Sequence, residues 1–212
     1  MLKLSLLAIF FALASANLGM LSYYRNESLA AFQCFAKANL SLVVSVAWDQ
    51  VNGPASNFSS TVNNARMAGI PNHDAIVTIG DLSDPERICK ETVNVLPADF
   101  NGTVWISPVY DFHRAVEDRM SYLDNVIRSC QQHGLKLGIH ASLYQWQRIF
   151  KDQFASSDVV QTLPLFYSND DRQANFDDFK TVSFGKWTAP VMKDFTGLSW
   201  LFCYRMIGKV FY

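Results

Sequence analysis

Charge is scarce in this chain and nearly balanced. Charged residues make up 17% of its 212 residues, and 18 Lys and Arg against 19 Asp and Glu leave a formal net charge of −1. That balance excludes the basic footprint with which proteins grip nucleic acid or an anionic membrane surface. Beyond the first 16 residues no apolar run approaches the roughly 20 residues that span a bilayer, so neither nucleic acid nor membrane is an expected partner. The Gly-rich turn that cradles phosphate, the His-Glu-x-x-His helix and the Cys-x-x-Cys pair are all missing. His73, His113, His133 and His140 lack zinc-ligand spacing, so no metal and no cofactor is expected. Ser107 has no Gly-x-Ser-x-Gly elbow around it, which argues against pairing it with His140 as a nucleophile. Repeats, low-complexity tracts and interdomain linkers are missing too, which leaves a single domain at this length.

Half of the residues are hydrophobic, enough to exclude a disordered or fibrous chain. Met1 to Ala16 read as a secretory signal: Lys3 supplies the positive charge, Leu4 to Leu13 are mostly apolar, and Ala14-Ser15-Ala16 is a small-residue cleavage site. The expected mature domain is 17–212, secreted and extracellular. Secretion makes Cys34, Cys89, Cys130 and Cys203 candidates for disulfides, with three pairings open. Four sequons, at Asn26, Asn39, Asn57 and Asn101, fit a glycoprotein on the same route.

Short apolar runs alternate with longer amphipathic ones. The runs predict strands over Leu18–Tyr23, Leu42–Trp48, Ala75–Ile79, Val104–Ile106, Lys136–His140, Leu163–Tyr167, Pro190–Asp194 and Met206–Phe211. Helices are predicted over Leu29–Ala38, Ser59–Ala68, Asp84–Leu96, Val116–His133 and Tyr144–Phe150. In the fourth helix Val116, Met120, Leu123, Val126, Ile127 and Cys130 form one apolar stripe, and Gly134 follows where a left-handed cap belongs. Strands alternating with helices imply a mostly parallel α/β sheet, and eight strands suffice to close an irregular TIM-like (β/α) barrel. The irregularity is expected because the helical signal weakens over the last third. In such a barrel the residues ending each strand face the active-site mouth.

Several segments, in collinear order, resemble the nematode and amoeba branch of the glycoside hydrolase family 25 lysozymes. They are Ala31-Phe-Gln-Cys34, Asn64-Ala-Arg-Met-Ala-Gly69, Thr103-Val-Trp-Ile-Ser-Pro-Val109, Gly134-Leu-Lys-Leu-Gly-Ile-His140, Tyr144-Gln-Trp-Gln-Arg-Ile-Phe150, Pro164-Leu-Phe-Tyr167, Asn175-Phe-Asp-Asp-Phe179, Gly185-Lys-Trp187 and Pro190-Val-Met-Lys193. The resemblance implies a barrel, peptidoglycan as the partner, and a setting in innate defence, the gut lumen or the lysosome. It also implies a link between Cys34 and Cys203, leaving Cys130 either paired with Cys89 or free.

Lysozymes of this family work with four carboxylates, one after the first strand, an Asp and a Glu after the fourth, and one in the last strand. One must be protonated to act on the leaving oxygen and others ionised to support the positive centre. At the matching positions this chain carries Leu21 or Ser22, then Ser107, Val109 and Gly208. None is acidic, and Val109 has no proton to donate. The resemblance therefore implies a lysozyme scaffold without its chemistry, a glycan-binding or regulatory pseudoenzyme. The alternative is an active hydrolase with relocated carboxylates, Asp111 and Asp194, which needs the two roughly 5 to 10 Å apart across one cleft. Trp48, Trp105, His140, Tyr167 and Asp171 are the candidates for ligand contact, the aromatics because ring faces pack against sugar C–H groups and Asp171 because relatives keep an acid there.

Overall fold

The protein is described by a computed structural model over residues 18–22, 27–80, 83–109, 114–195, 200–201, 204–205 and 209–212. Strand β1 (Leu18–Ser22) leads to helix α1 (Leu29–Lys37), and β2 (Leu42–Asp49) to the two-residue β3 (Gly53–Pro54) and α2 (Phe58–Met67). Then come β4 (Asn72–Ile79), α3 (Pro85–Val95), β5 (Val104–Pro108), α4 (Val116–Gln132), β6 (Leu137–Ala141) and α5 (Leu143–Phe150). The last part is less regular: α6 (Asp158–Gln161), β7 (Leu165–Ser168), α7 (Phe179–Val182), β8 (Met192–Asp194), a two-stranded ladder of β9 (Trp200–Leu201) and β10 (Tyr204–Arg205), and β11 (Lys209–Phe211).

Seven strands run parallel in the order β1-β2-β4-β5-β6-β7-β8, and β11 pairs antiparallel with both β8 and β1 to complete the ring. The expected irregular barrel is what forms, its irregularity concentrated in the reversed closing strand and the shrunken helices of the last third. Of the expected closing strand, residues 206–208 lie outside the described residues, as does the expected signal segment apart from the strand that follows it.

Strands buried on both faces divide their side chains between two cores. Leu21, Leu42, Val44, Val46, Ile76, Trp105, Phe166 and Met192 pack together inside the ring, drawn from six strands. Residues one step along, such as Ala75, Val77, Val104, Ile106, Ile139 and Leu165, pack outward against the buried faces of α3, α4 and α5. Gly138 lies beside Trp105 in the β5–β6 register, and a Cβ there would stand 2.3 Å from the indole ring. Only a glycine lets that ring fill the middle of the barrel. Gly134 has φ of +78°, the left-handed position anticipated after α4.

Two strands are longer than their apolar runs. β4 begins at Asn72 because the polar Asn72, His73 and Asp74 still pair with Leu42, Val43 and Val44 of β2. β5 runs on to Pro108, with Ser107 opposite Thr78; a proline is tolerated at a strand end. Cys89 and Cys130 form a buried disulfide between α3 and α4, which settles the alternatives left open for Cys130. Cys34 is disulfide-bonded as well; its expected partner, Cys203, lies outside the described residues.

Candidate functional site

The seven parallel strands end in Ser22, Asp49, Ile79, Pro108, Ala141, Ser168 and Asp194, and their ends define the barrel mouth. On β5, Ser107 is buried and its hydroxyl lies 3.1 Å from Nδ1 of His140 on β6. The imidazole stacks at a tilt on Phe166 of β7, with ring centroids 4.4 Å apart. Burial pushes the His140 pKa down from 6.5 to about 4, so the ring is neutral at pH 7. Its Nε2 is buried and has no hydrogen-bond partner among the described residues. A nucleophilic serine needs its base oriented through the second ring nitrogen by a third group. The structure thus joins two residues that the sequence pattern did not, and among the described residues no third group bonds the second ring nitrogen.

Val109 follows β5 half-buried and continues the ladder, its N–H donating to the Ile79 carbonyl at 2.8 Å. Asp194 is the buried carboxylate ending β8. It lies 3.5 Å from the Ser168 hydroxyl in the neighbouring register position, and its carbonyl accepts the Asn169 N–H. Asp49 ends β2, but its carboxylate is committed to a turn, accepting the N–H groups of Val51 and Asn52 at 2.8 Å each and the Asn52 side-chain amide. Asp111, Gly208 and the side chain of Ser22 lie outside the described residues.

The other candidates for ligand contact sit away from this layer. Trp48 follows a register shift in β2, packs in the outer core and donates its indole N–H to Glu91 of α3 at 2.9 Å. Trp105 is inside the ring, but its N–H reaches Asp74, 2.8 Å away, near the start of β4. That end of the barrel is opposite the mouth. Burial raises the Asp74 pKa even though the Thr103 N–H and the Trp105 indole oppose the shift.

Tyr167 and Asp171 belong to one network that sequence reasoning did not assemble. Lys193 on β8 is fully buried, and its ammonium donates to Asp171 at 2.6 Å and to Asp178 at 2.7 Å. Asp178 also accepts the Tyr167 hydroxyl and the Asn169 amide, each at 2.6 Å. Burial works against ionising Asp178, but the donors Lys193, Tyr167 and Asn169 outweigh it and hold its pKa low. The same burial, reinforced by the Asp178 charge, pushes the Tyr167 phenol up. This network pins the segment after β7 to β8, so Tyr167 and Asp171 position the rim of the mouth. The signal available in the sequence was a lysine inside the apolar run Pro190–Asp194, a residue type that is almost never fully buried unless paired.

Among the described residues no group of His, Cys, Asp and Glu is placed to hold a metal ion, and no helix is long and apolar enough to cross a membrane.

A family model described as Lysozyme-like protein 1 matches residues 20–195. "Probable GH family 25 lysozyme 5" of Dictyostelium discoideum is 28% identical over 208 residues, covering 92% of this chain and 91% of that protein. "Probable GH family 25 lysozyme 3" of the same organism is 27% identical over 206 residues, and there the match spans 42% of the relative's length. Among solved structures, the bacterial lysozyme from Streptomyces coelicolor superposes with a TM-score of 0.73 at 10% identity, covering 93% of this chain and 92% of that one. The modular Cpl-1 endolysin, solved with a peptidoglycan analogue, gives 0.64 at 10% identity over 92% of this chain and 54% of that one.

Proposed function

The chain belongs to the lysozyme-like family described by the Lysozyme-like protein 1 model, and from that premise we propose a secreted protein that binds cell-wall glycan without cleaving it. One observation carries the reading. The end of β5, where the resemblance calls for an acid pair, presents Ser107, bonded to a neutral His140, and Val109, whose side chain has no proton to give. General acid catalysis contributes roughly a hundred- to ten-thousand-fold, so its loss together with charge stabilisation leaves little hydrolysis. Removing desolvated carboxylates from a mouth also relieves their repulsion, which favours keeping the scaffold as a binder.

The relationship to lysozymes, and the peptidoglycan analogue bound to one structural neighbour, support a wall glycan as the partner and innate defence as the setting, in the gut lumen or the lysosome. The signal-like residues 1–16 and the sequons support secretion as a glycoprotein. Asn39 and Asn101 are exposed in the connections leading into β2 and β5, at the end opposite the mouth, where glycans leave the mouth open.

Turbidity clearing of purified bacterial walls tests the proposal. The expected result is no clearing by the purified protein alongside retention on the walls in a pelleting assay. Clearing that is lost in Asp194→Asn or Asp111→Asn would instead establish an active hydrolase with relocated carboxylates.

A further inference from the structure

At the end opposite the mouth the barrel encloses a hollow of about 330 Å³, within the roughly 300–1,000 Å³ range of small-molecule sites. It is built from the beginnings of strands: Leu42 of β2, Asp74 of β4, Trp105 of β5, Lys136 ahead of β6, and Val191 and Met192 at the start of β8. Trp105 belongs to the packed inner core, which separates this hollow from the mouth.

Two opposite charges face the hollow without pairing. The Asp74 carboxylate accepts the Thr103 N–H and the Trp105 indole N–H, each at 2.8 Å, and both donors are neutral. Lys136 is exposed at the rim and acts on that carboxylate through its field, not through contact. Burial raises the Asp74 pKa, the mark of a carboxylate with no cation beside it. Each of its oxygens keeps a lone pair for one more donor. Asn72, two residues earlier on the same face of β4, gives its Nδ2 to the Ser41 carbonyl at 3.0 Å and keeps its amide oxygen to accept. An ammonium group entering here meets two acceptors and supplies the missing charge.

The rest of the lining is apolar. Leu42 and Met192 are buried, and Val191, 49% exposed, carries the same wall out to the rim. The complementary molecule has an ammonium, a carboxylate and an apolar group within one hollow's reach. We propose that this hollow binds a free apolar α-amino acid, with its ammonium on Asp74, its carboxylate on Lys136 and its side chain against Leu42 and Met192. The site is separate from the mouth and stands whether or not the mouth holds a glycan.

The test is calorimetric titration of the purified protein with leucine, methionine and phenylalanine. Leucinamide, which lacks the carboxylate, and 4-methylpentanoate, which lacks the ammonium, are the comparisons. N-linked sugars are first trimmed enzymatically, because Asn101 also lines the hollow. At least one of the three amino acids is expected to bind, and leucine at least tenfold more tightly than either comparison compound. Lys136→Ala, an exposed change, is expected to weaken leucine at least fivefold and leave leucinamide unaltered. Asp74→Asn should weaken both, and unaltered melting of each variant is the folding control. Met67→Ala, exposed on α2, should change nothing. Absence of binding by all three amino acids at 10 mM, on the order of the weakest specific sites, overturns the proposal. So does equal affinity for leucine and either comparison compound, or undiminished leucine binding by Lys136→Ala.

Discussion

Ser107 and His140, on adjacent strands, share a 3.1 Å hydrogen bond in the buried layer at the barrel mouth. The bond uses Nδ1 and leaves Nε2 enclosed without a partner among the described residues, so protonation there gains no compensating acceptor and loses hydration. His73 on β4 is in the same position at another site, lowered to about 4 by burial and by Arg66.

Stability is therefore predicted to fall on mild acidification. A folded pKa near 4 against 6.5 unfolded means the unfolded chain binds more protons between those values. The stabilisation is complete above about pH 6.5 and is lost as the pH falls toward 4, on the order of 3 kcal/mol for His140. Urea titrations at pH 7.5 and 4.5 measure it. His140→Phe should flatten part of the pH dependence; an unchanged slope would show that this histidine is not the group responsible.

Lys193 is fully buried between two carboxylates, which makes it an exacting electrostatic position. Lys193→Met strands two carboxylates that the ammonium now neutralises, and these retain some solvent access, so the expected loss is about 3 kcal/mol. Asp171→Asn removes one contact and should cost clearly less. Chemical denaturation of the two variants checks the ranking.

Gly138→Ala drives a methyl group into the Trp105 ring from 2.3 Å. Overpacking of this kind costs about 1–3 kcal/mol. Trp105→Leu should absorb much of that loss, and a double-mutant cycle read by thermal melting detects the coupling.

Opening the Cys89–Cys130 bridge with paired alanines releases a loop of sequence separation 41. Chain-entropy arguments put the cost at about 4 kcal/mol. Reducing agent should lower the melting temperature of the parent by more than that of the double variant, which keeps the disulfide of Cys34.

Most of the barrel is legible in the sequence because parallel strands buried on both faces leave continuous apolar runs. The start of β4 and the end of β5 are not, since Asn72, Asp74 and Ser107 are polar residues whose strand geometry comes from pairing rather than hydrophobicity. Side-chain direction is harder still. Trp48 ends an apolar run, as a mouth residue would, yet the register shift after Val46 leaves it packed in the outer core. Trp105 points inward but toward the opposite end, because Asp74, far away in sequence, accepts its N–H. The Lys193 network joins residues 15 and 22 positions apart through two loops, which no local pattern encodes.

The antiparallel pairing of β11 with β1 sets Leu18 opposite Phe211. A short peptide is thus sufficient to splice these two positions, and the chain can then be cut afresh in an exposed connection such as the one ahead of β5. Such a circular permutant would keep every neighbour in the ring while changing which strand is synthesised first, separating the order of assembly from the final architecture.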